Sequence, residues 1–544
     1  MRLLTLWFVS LSLFVSLAWC SVAWCDEGHH HDLTEQEIGS IHFATSCAKA
    51  TETGFNHAVA LLHSFQYEDS RHAFEAVSAQ DPSCAMAQWG VAMSHYHGLW
   101  HNGDTGAGRE AWQRAHEIAG KNPKTTARES AYIDALGEVY ASDGKDEYAH
   151  AQTYEQKLGS LTAAYPDDSE AAIFHALALD VTAPKTDKTF GHQRQCGEIL
   201  EPIFQKQPHH PGVAHYLIHC YDNPVLAEQG LNAARAYAKI APASAHANHM
   251  PSHIFTRVGS WEESIQSNQR SAELAAAAEK TSKNGEARDQ RLHALDYLEY
   301  AYLQSGQVKN AKSVLEEMNS LPPIPGLSLT GNYASAAIPA RYAVELAHWK
   351  EASVLQAQSE KSTPWAQAIT WMAIGIGNAR SNQLDFAALA EEKLAALRDT
   401  IAKQGNAYWS NQVEVQRQEV FAWVAEATGH HEDALTRMRS AADLEESMDK
   451  DAVTPGSITP AREMLAEMLL SEKHAQEALA EYEAVLKIAP KRFNALYGAA
   501  SAAEASGNAS LASRYYRQLV EISVGDERPE LTAARKKVAL TAAK

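Results

Sequence analysis

The sequence predicts an all-α fold, an α-solenoid in which helical hairpins stack one on the next and divide into two lobes. Two spacings and one pattern of small residues carry that expectation. Pro208 and Pro242 are 34 residues apart and Pro455 and Pro490 are 35 apart, and recurrence near 34 residues marks stacked hairpins rather than one globular core. An amphipathic stretch rich in Ala, Leu and Tyr closes at Pro242 and another at Pro490, as helices that stop at a proline do. Gly259, Gly306, Gly429 and Gly507 sit where a hairpin turns, each followed five residues later by a small residue: Ser264, Ala311, Ala434 and Ala512. Paired helices approach closely only where small side chains meet. A larger side chain four positions on then fills the gap to the next hairpin, and Phe74, Leu315, Met438, Tyr482 and Tyr516 stand there.

Met1-Arg2 precedes an apolar run from Leu3 to Ala18, a charged start and a core of secretory length, too short for a membrane span. The small residues Ser21 and Ala23 place cleavage after Ala23, so 1–23 is expected to be a signal peptide, with cleavage after Cys25 the alternative. A lipoprotein would acylate Cys20 or Cys25, but Trp19 and Trp24 stand where such signals want a small residue. The expected location is therefore secreted or periplasmic. Residues 24–40, which include DEGHHHD, form an expected flexible lead-in. Residues 41–320 form the N-terminal lobe, with TAPKTDKTFGH at 182–192 as an inserted loop. The stretch LPPIPGLSLTGN at 321–332 is too rich in Pro and Gly for helix and reads as the linker to the C-terminal lobe, 333–544. No later apolar stretch reaches spanning length.

Composition narrows the partners. Lys and Arg number 47 against 67 Asp and Glu, a net charge of −20 without a basic block. That disfavours phosphate backbones, so nucleic acid is not expected as a partner. Besides Cys20 and Cys25 there are Cys47, Cys84, Cys196 and Cys220. In an oxidising compartment these four can form two bridges, and chain proximity favours Cys47–Cys84 and Cys196–Cys220 over the crossed pairings. The chain has no HExxH, no phosphate-cradling glycine loop, no CxxC pair and no CxxCH.

The proline, glycine and small-residue pattern resembles the tetratricopeptide-repeat (TPR) family over most of the chain after the signal segment, most closely in EALAEYEAVLKIAP at 477–490. The phrases HFATSC, ALLHSFQYEDS, CAMAQWGVAMS and HMPSHIFTRVGSW resemble a histidine-rich group of exported bacterial TPR proteins with no established activity. The resemblance implies fold, location and a concave groove suited to a peptide or protein partner.

Histidine is the unusual residue. There are 26, crowded between positions 42 and 253. Spacings of three and four put His246, His249 and His253 on one helix face, and His215, His219 and Asp222 on another. Each segment alone could bind a metal ion. In the TPR frame these six fall at first-helix positions that line the groove, so the resemblance implies that they converge on one patch. Imidazole suits Cu, Zn, Fe and Ni, whereas calcium and magnesium want oxygen. Five histidines exceed what one ion needs, and Pro251 threatens to kink His253 away from His246. The competing reading is structural, with histidines bonded to backbone carbonyls or stacked on Tyr216 and Trp261. His95, His97 and His101 close another helix and suit capping or packing. His42, His57 and His63 lie near the first hairpin, and the run His29–His31 could take up stray metal without a function.

Two functions of different class follow. The leading one is a scaffold that binds a peptide or protein partner in its groove. The alternative is a copper, zinc or iron protein or metalloenzyme, with the histidines as ligands and Asp222 or Arg257 beside them as acid, base or anchor.

Overall fold

The computed structural model describes residues 33–100, 103–141, 146–280, 285–324, 326–357 and 362–542. The expected signal segment 1–23, Cys20, Cys25, His29–His31 and His101 lie outside them. Among the described residues the regular structure is helical throughout, and no helix is long and apolar enough to cross a membrane. Each helix packs chiefly on its neighbours in the chain, which makes the fold an α-solenoid of TPR-like hairpins.

The small-residue pattern has its expected consequence. Gly259, Gly306, Gly429 and Gly507 take positive φ, from 68° to 81°, the left-handed conformation glycine adopts without steric cost. Ser264, Ala311, Ala434 and Ala512 are buried between paired helices, and Phe74, Met438, Tyr482 and Tyr516 are buried as fillers. Seven helices surround the histidines: α1 (Glu52–His63), α2 (Ser169–Val181), α3 (Pro211–Tyr221), α4 (Ala245–His249), α5 (Pro251–Val258), α6 (Trp261–Ala278) and α7 (Glu286–Gln304).

Part of the expected flexible lead-in is instead packed. Glu35–Ile38 forms one helical turn, Ile38 is buried, and the Ser40 N–H donates to the His209 carbonyl (3.1 Å). Ile38, Ile41 and Phe43 supply the buried apolar side chains that anchor this stretch. Cys47 stands beside Cys84 (Cα–Cα 4.8 Å) and Cys196 beside Cys220 (6.2 Å), both within disulfide reach.

At the expected linker, helix stops after Ser320 and resumes at Leu329, so 329–332 is helical. Apolar side chains on both sides share a core: Leu295, Leu298 and Leu303 pack with Ala334, Ile338 and Tyr342. Two further features tie the halves together. The Phe493 N–H donates to Gln304 of α7 (2.9 Å). The irregular segment 447–460 returns to the first half, where the Asp449 N–H donates to the Lys185 carbonyl (3.0 Å) and Tyr297 donates to the Thr454 carbonyl (2.9 Å).

An interior ionic seam runs through the same region. Arg341 is fully buried against Asp296 and Glu299. Removing one partner of such a cluster strands charge in a low-dielectric interior, at a cost of about 3–5 kcal/mol. Arg341→Met is therefore expected to lower the denaturant midpoint, and apolar replacement of all three residues to recover most of the loss. An unchanged midpoint for the single variant would show that the ion cluster is not formed.

Candidate metal centre

The histidines are delivered by helix starts and helical spacing. The His210 side chain accepts from the Val213 N–H and Pro211 occupies the first turn, which opens α3. His215 and His219, one turn apart on that helix, approach with Nε2 to Nε2 at 3.1 Å. Ser244 caps α4 in the next hairpin, and His246 Nε2 lies 3.0 Å from His215 Nε2. These three form one set. His249 and His253 face each other with Nε2 to Nε2 at 3.0 Å. His293 of α7 joins them, its ring centroid 4.2 Å from that of His249 and 6.0 Å from that of His253. In each set, one ligand atom per residue lies within 4.8 Å of the others. The sets adjoin, with ring centroids 6.3 Å apart for His219 and His253 and 6.4 Å for His246 and His249.

This differs from one shared patch in a groove. There are two sets of three, and every ring is buried, at most 8 % exposed. Pro251 does not undo the arrangement. Met250 keeps helical φ and ψ of −52° and −37°, so Pro251 begins α5 in the first-turn position that proline tolerates. Asp222 moves out of the expected ligand set because α3 ends at Tyr221, leaving Asp222 at φ −73°, ψ 57° beyond the helical face. Its carboxylate accepts from His253 Nδ1 (2.9 Å), behind the ring.

The hydrogen bonds fix which nitrogens are free. Asn268 donates its amide N–H to the Ser264 carbonyl (2.8 Å), which turns its oxygen toward His249 Nδ1 (2.7 Å). His249 therefore carries its proton on Nδ1. His253 does likewise toward Asp222, and His215 toward the His63 carbonyl (2.6 Å). Burial first, and then the neighbouring imidazoles, push His215, His219, His246, His249 and His293 well below the usual histidine range. All five are neutral at pH 7. His249 and His253 thus oppose two Nε2 lone pairs at 3.0 Å with no proton to share. His215 Nε2, with one lone pair, is approached by both His219 and His246. Neither ring nitrogen of His293 has a hydrogen-bond partner among the described residues. Nitrogens bound at ~2.0–2.1 Å to one tetrahedral ion lie roughly 3.3 Å apart, so a cation in each set resolves contacts that protons cannot.

A third cluster serves as an internal comparison. Glu170 of α2 accepts from His63 Nε2 (3.0 Å) and His210 Nε2 (2.9 Å), while Tyr216 bonds His63 Nδ1 (2.9 Å). Both tautomers are consistent and each ring nitrogen is satisfied, so this cluster is a hydrogen-bonded strut. His63 also presents its carbonyl to His215, which ties the strut to the first histidine set.

The second half of the chain supports the centre. Lys450 Nζ (2.8 Å) and Arg257 Nε (2.8 Å) both reach the Asp222 carboxylate, and Arg257 also bonds Asp449 (3.3 Å). Burial works to raise the Asp222 carboxyl, but the two cations hold it well below the usual range. Arg257 is thus a buried clamp on Asp222 that also lines a cavity towards the second half of the chain. Phe65 is a further element. It takes φ 54° at a hairpin position where other repeats use glycine, a strained choice for a bulky residue. Its ring lies 4.4 Å from His215, 5.7 Å from His219 and 5.5 Å from His246.

No family model matches the chain, and no curated protein matches it. Among solved structures, human IFIT1 bound to PPP-AAAA is 12% identical, with 87% of this chain and 91% of that one covered at a TM-score of 0.35. Yeast Tom70 is 12% identical, with 84% and 96% covered at a TM-score of 0.30. Similarity at that level bears neither on the site nor on what the chain binds.

Proposed function

We propose that this protein binds two transition-metal ions, copper by preference, in adjacent three-histidine sites buried in its solenoid. The observation that carries this is the pair of facing Nε2 lone pairs on His249 and His253, each ring locked from behind by an acceptor. Ligands held in this way by outer hydrogen bonds are the usual form of metal-binding histidine. Imidazole suits copper and zinc, and copper binds such nitrogen sets most tightly among the divalent series. Charge points the same way. Six neutral imidazoles add no negative charge, and Asp222 is already offset by Lys450 and Arg257, so two monovalent copper ions burden the interior less than two dications.

A bound copper pair supplies redox chemistry. The chain's part is to fix the imidazoles through Nδ1 and to exclude water. Two paired cysteine sets suit an oxidising compartment, and export is part of this reading. Partner binding has its own support in a cavity of about 400 Å³ between Arg257 and the second half, lined by Tyr333, Tyr408 and Trp409. A helical scaffold that holds a metal centre and docks a second molecule satisfies both.

Purified protein stripped of metal, reloaded with copper and dialysed is expected to retain about two ions per chain, held through nitrogen. Retention of less than about one ion, or of ions that leave histidine resonances unmoved, removes the reading.

A further inference from the structure

Resting on the two-site reading, we infer that the centre takes a small one-ring aromatic ligand of neutral or positive charge, in a cavity that opens on both histidine sets. That cavity has a volume of about 290 Å³ and is lined by His246 of the first set and by His249 and His293 of the second. His215, His219 and His253 do not line it. An ion held by three imidazoles keeps a further coordination position open, and this cavity gives a ligand access to rings of both sets.

Its walls choose the rest of the ligand. Phe65, Tyr67 and Trp100 form an aromatic side, with Phe65 stacked on Tyr67 (5.3 Å) and edge-on to Trp100 (6.4 Å). A volume near the lower end of ligand pockets suits a single ring, which aromatic walls bind by stacking or edge contact. Glu286 and Asp289 stand in the lining, and no Lys or Arg does among the described residues. Asp289 is engaged, accepting from the Ser328 and Gly331 N–H groups (3.0 Å each). Burial first, and then the neighbouring Asp69 and Glu68, push the Glu286 carboxyl up to about 8, so in the empty cavity it is largely protonated at pH 7 and ionises readily only when a cation comes beside it. A ligand carboxylate finds an acidic wall with no Lys or Arg among the described lining residues to receive it, whereas an ammonium draws Glu286 into its charged form and pairs with it.

Two probes isolate charge on one body. Tyramine and 3-(4-hydroxyphenyl)propionate share a phenol ring and a two-carbon arm, ending in ammonium or carboxylate. Both are titrated calorimetrically into oxygen-free, copper-loaded full-length protein whose copper content is measured on the same sample. Tyramine is expected to bind saturably and at least about tenfold more tightly than the acid, a gap worth about 1.4 kcal/mol. Trp100→Ala is expected to weaken tyramine at unchanged copper content, and Glu286→Gln to narrow the gap between the probes. Metal-free protein is expected to bind tyramine at least about tenfold less tightly. Equal binding of the two probes, equal binding with and without copper, or no binding by protein that holds its copper each overturns this inference alone. Protein that retains no copper overturns the two-site reading and this inference with it.

Discussion

His215→Ala is expected to release about one of two bound copper ions and leave the other, because His215 is the hub of only one set. Both His219 and His246 approach its Nε2, so without it two imidazoles remain on opposite sides of a gap. An ion needs three or four such ligands to stay bound through dialysis. His249→Ala is expected to do the same to the second set, since His249 is the ring that both His253 and His293 approach. The double variant is expected to retain none. Asp222→Asn keeps every ligand but weakens the acceptor behind His253, and outer-shell changes of that kind cost about 10–100-fold in affinity. Its effect is expected on the second ion alone. His210→Ala is the informative control. It removes a buried imidazole of the Glu170 strut, so it should lower the thermal midpoint while copper content stays at the wild-type value. Copper lost in parallel from both sets in either single variant would mean one shared cluster, and copper lost with His210→Ala would give the strut a ligand's role.

The fold was legible because its rules are local. A glycine at the hairpin turn, a small residue five positions on and a filler four beyond it all follow from how two helices touch, and Gly259, Gly306, Gly429 and Gly507 obey them in the structure. Five of the six histidines were legible for the same reason, through spacings of three and four. His293 was not, because the longer connection before α7 breaks a count taken from closing prolines. Counted back from the hairpin glycine, however, His293 precedes Gly306 by the same interval at which His246 precedes Gly259. Asn268 carried a second unread signal, since it holds a filler position occupied elsewhere by Leu, Met or Tyr and is polar because His249 needs an acceptor. Asp222, read as a further ligand, does reach the patch, but from the residue that ends α3 its carboxylate meets His253 at Nδ1, behind the ring. Lys450 and Asp449 left no trace in the sequence, since they arrive from an irregular segment more than two hundred residues on, and no local pattern encodes that return.

Acid should unfold the metal-free protein within a narrow interval below pH 6.5, and copper should move that interval downward. Five imidazoles, His215, His219, His246, His249 and His293, are held well below the ordinary histidine value in the folded chain. In the unfolded chain each titrates near 6.5. Above that value both states are neutral and pH has no leverage through these groups. Below it the unfolded chain takes up protons that the folded chain refuses, so stability falls as pH falls. Each group contributes about 1.4 kcal/mol at one pH unit below its unfolded value, and five together reach about 7 kcal/mol, within the range of a whole domain's stability. Bound copper competes for the same lone pairs and binds only the folded chain, so it stabilises by mass action and the ions must leave before the rings protonate. Circular dichroism followed from pH 7 to pH 4.5 in metal-free and copper-loaded samples reads both effects. The His249→Ala/His293→Ala variant removes two of the five proton acceptors, and its metal-free form should unfold at lower pH and less steeply once its own stability at pH 7 is matched with mild denaturant. If wild type and that variant show the same slope, the buried imidazoles are already protonated in the folded chain. The lone-pair argument for two metal sites then loses its footing.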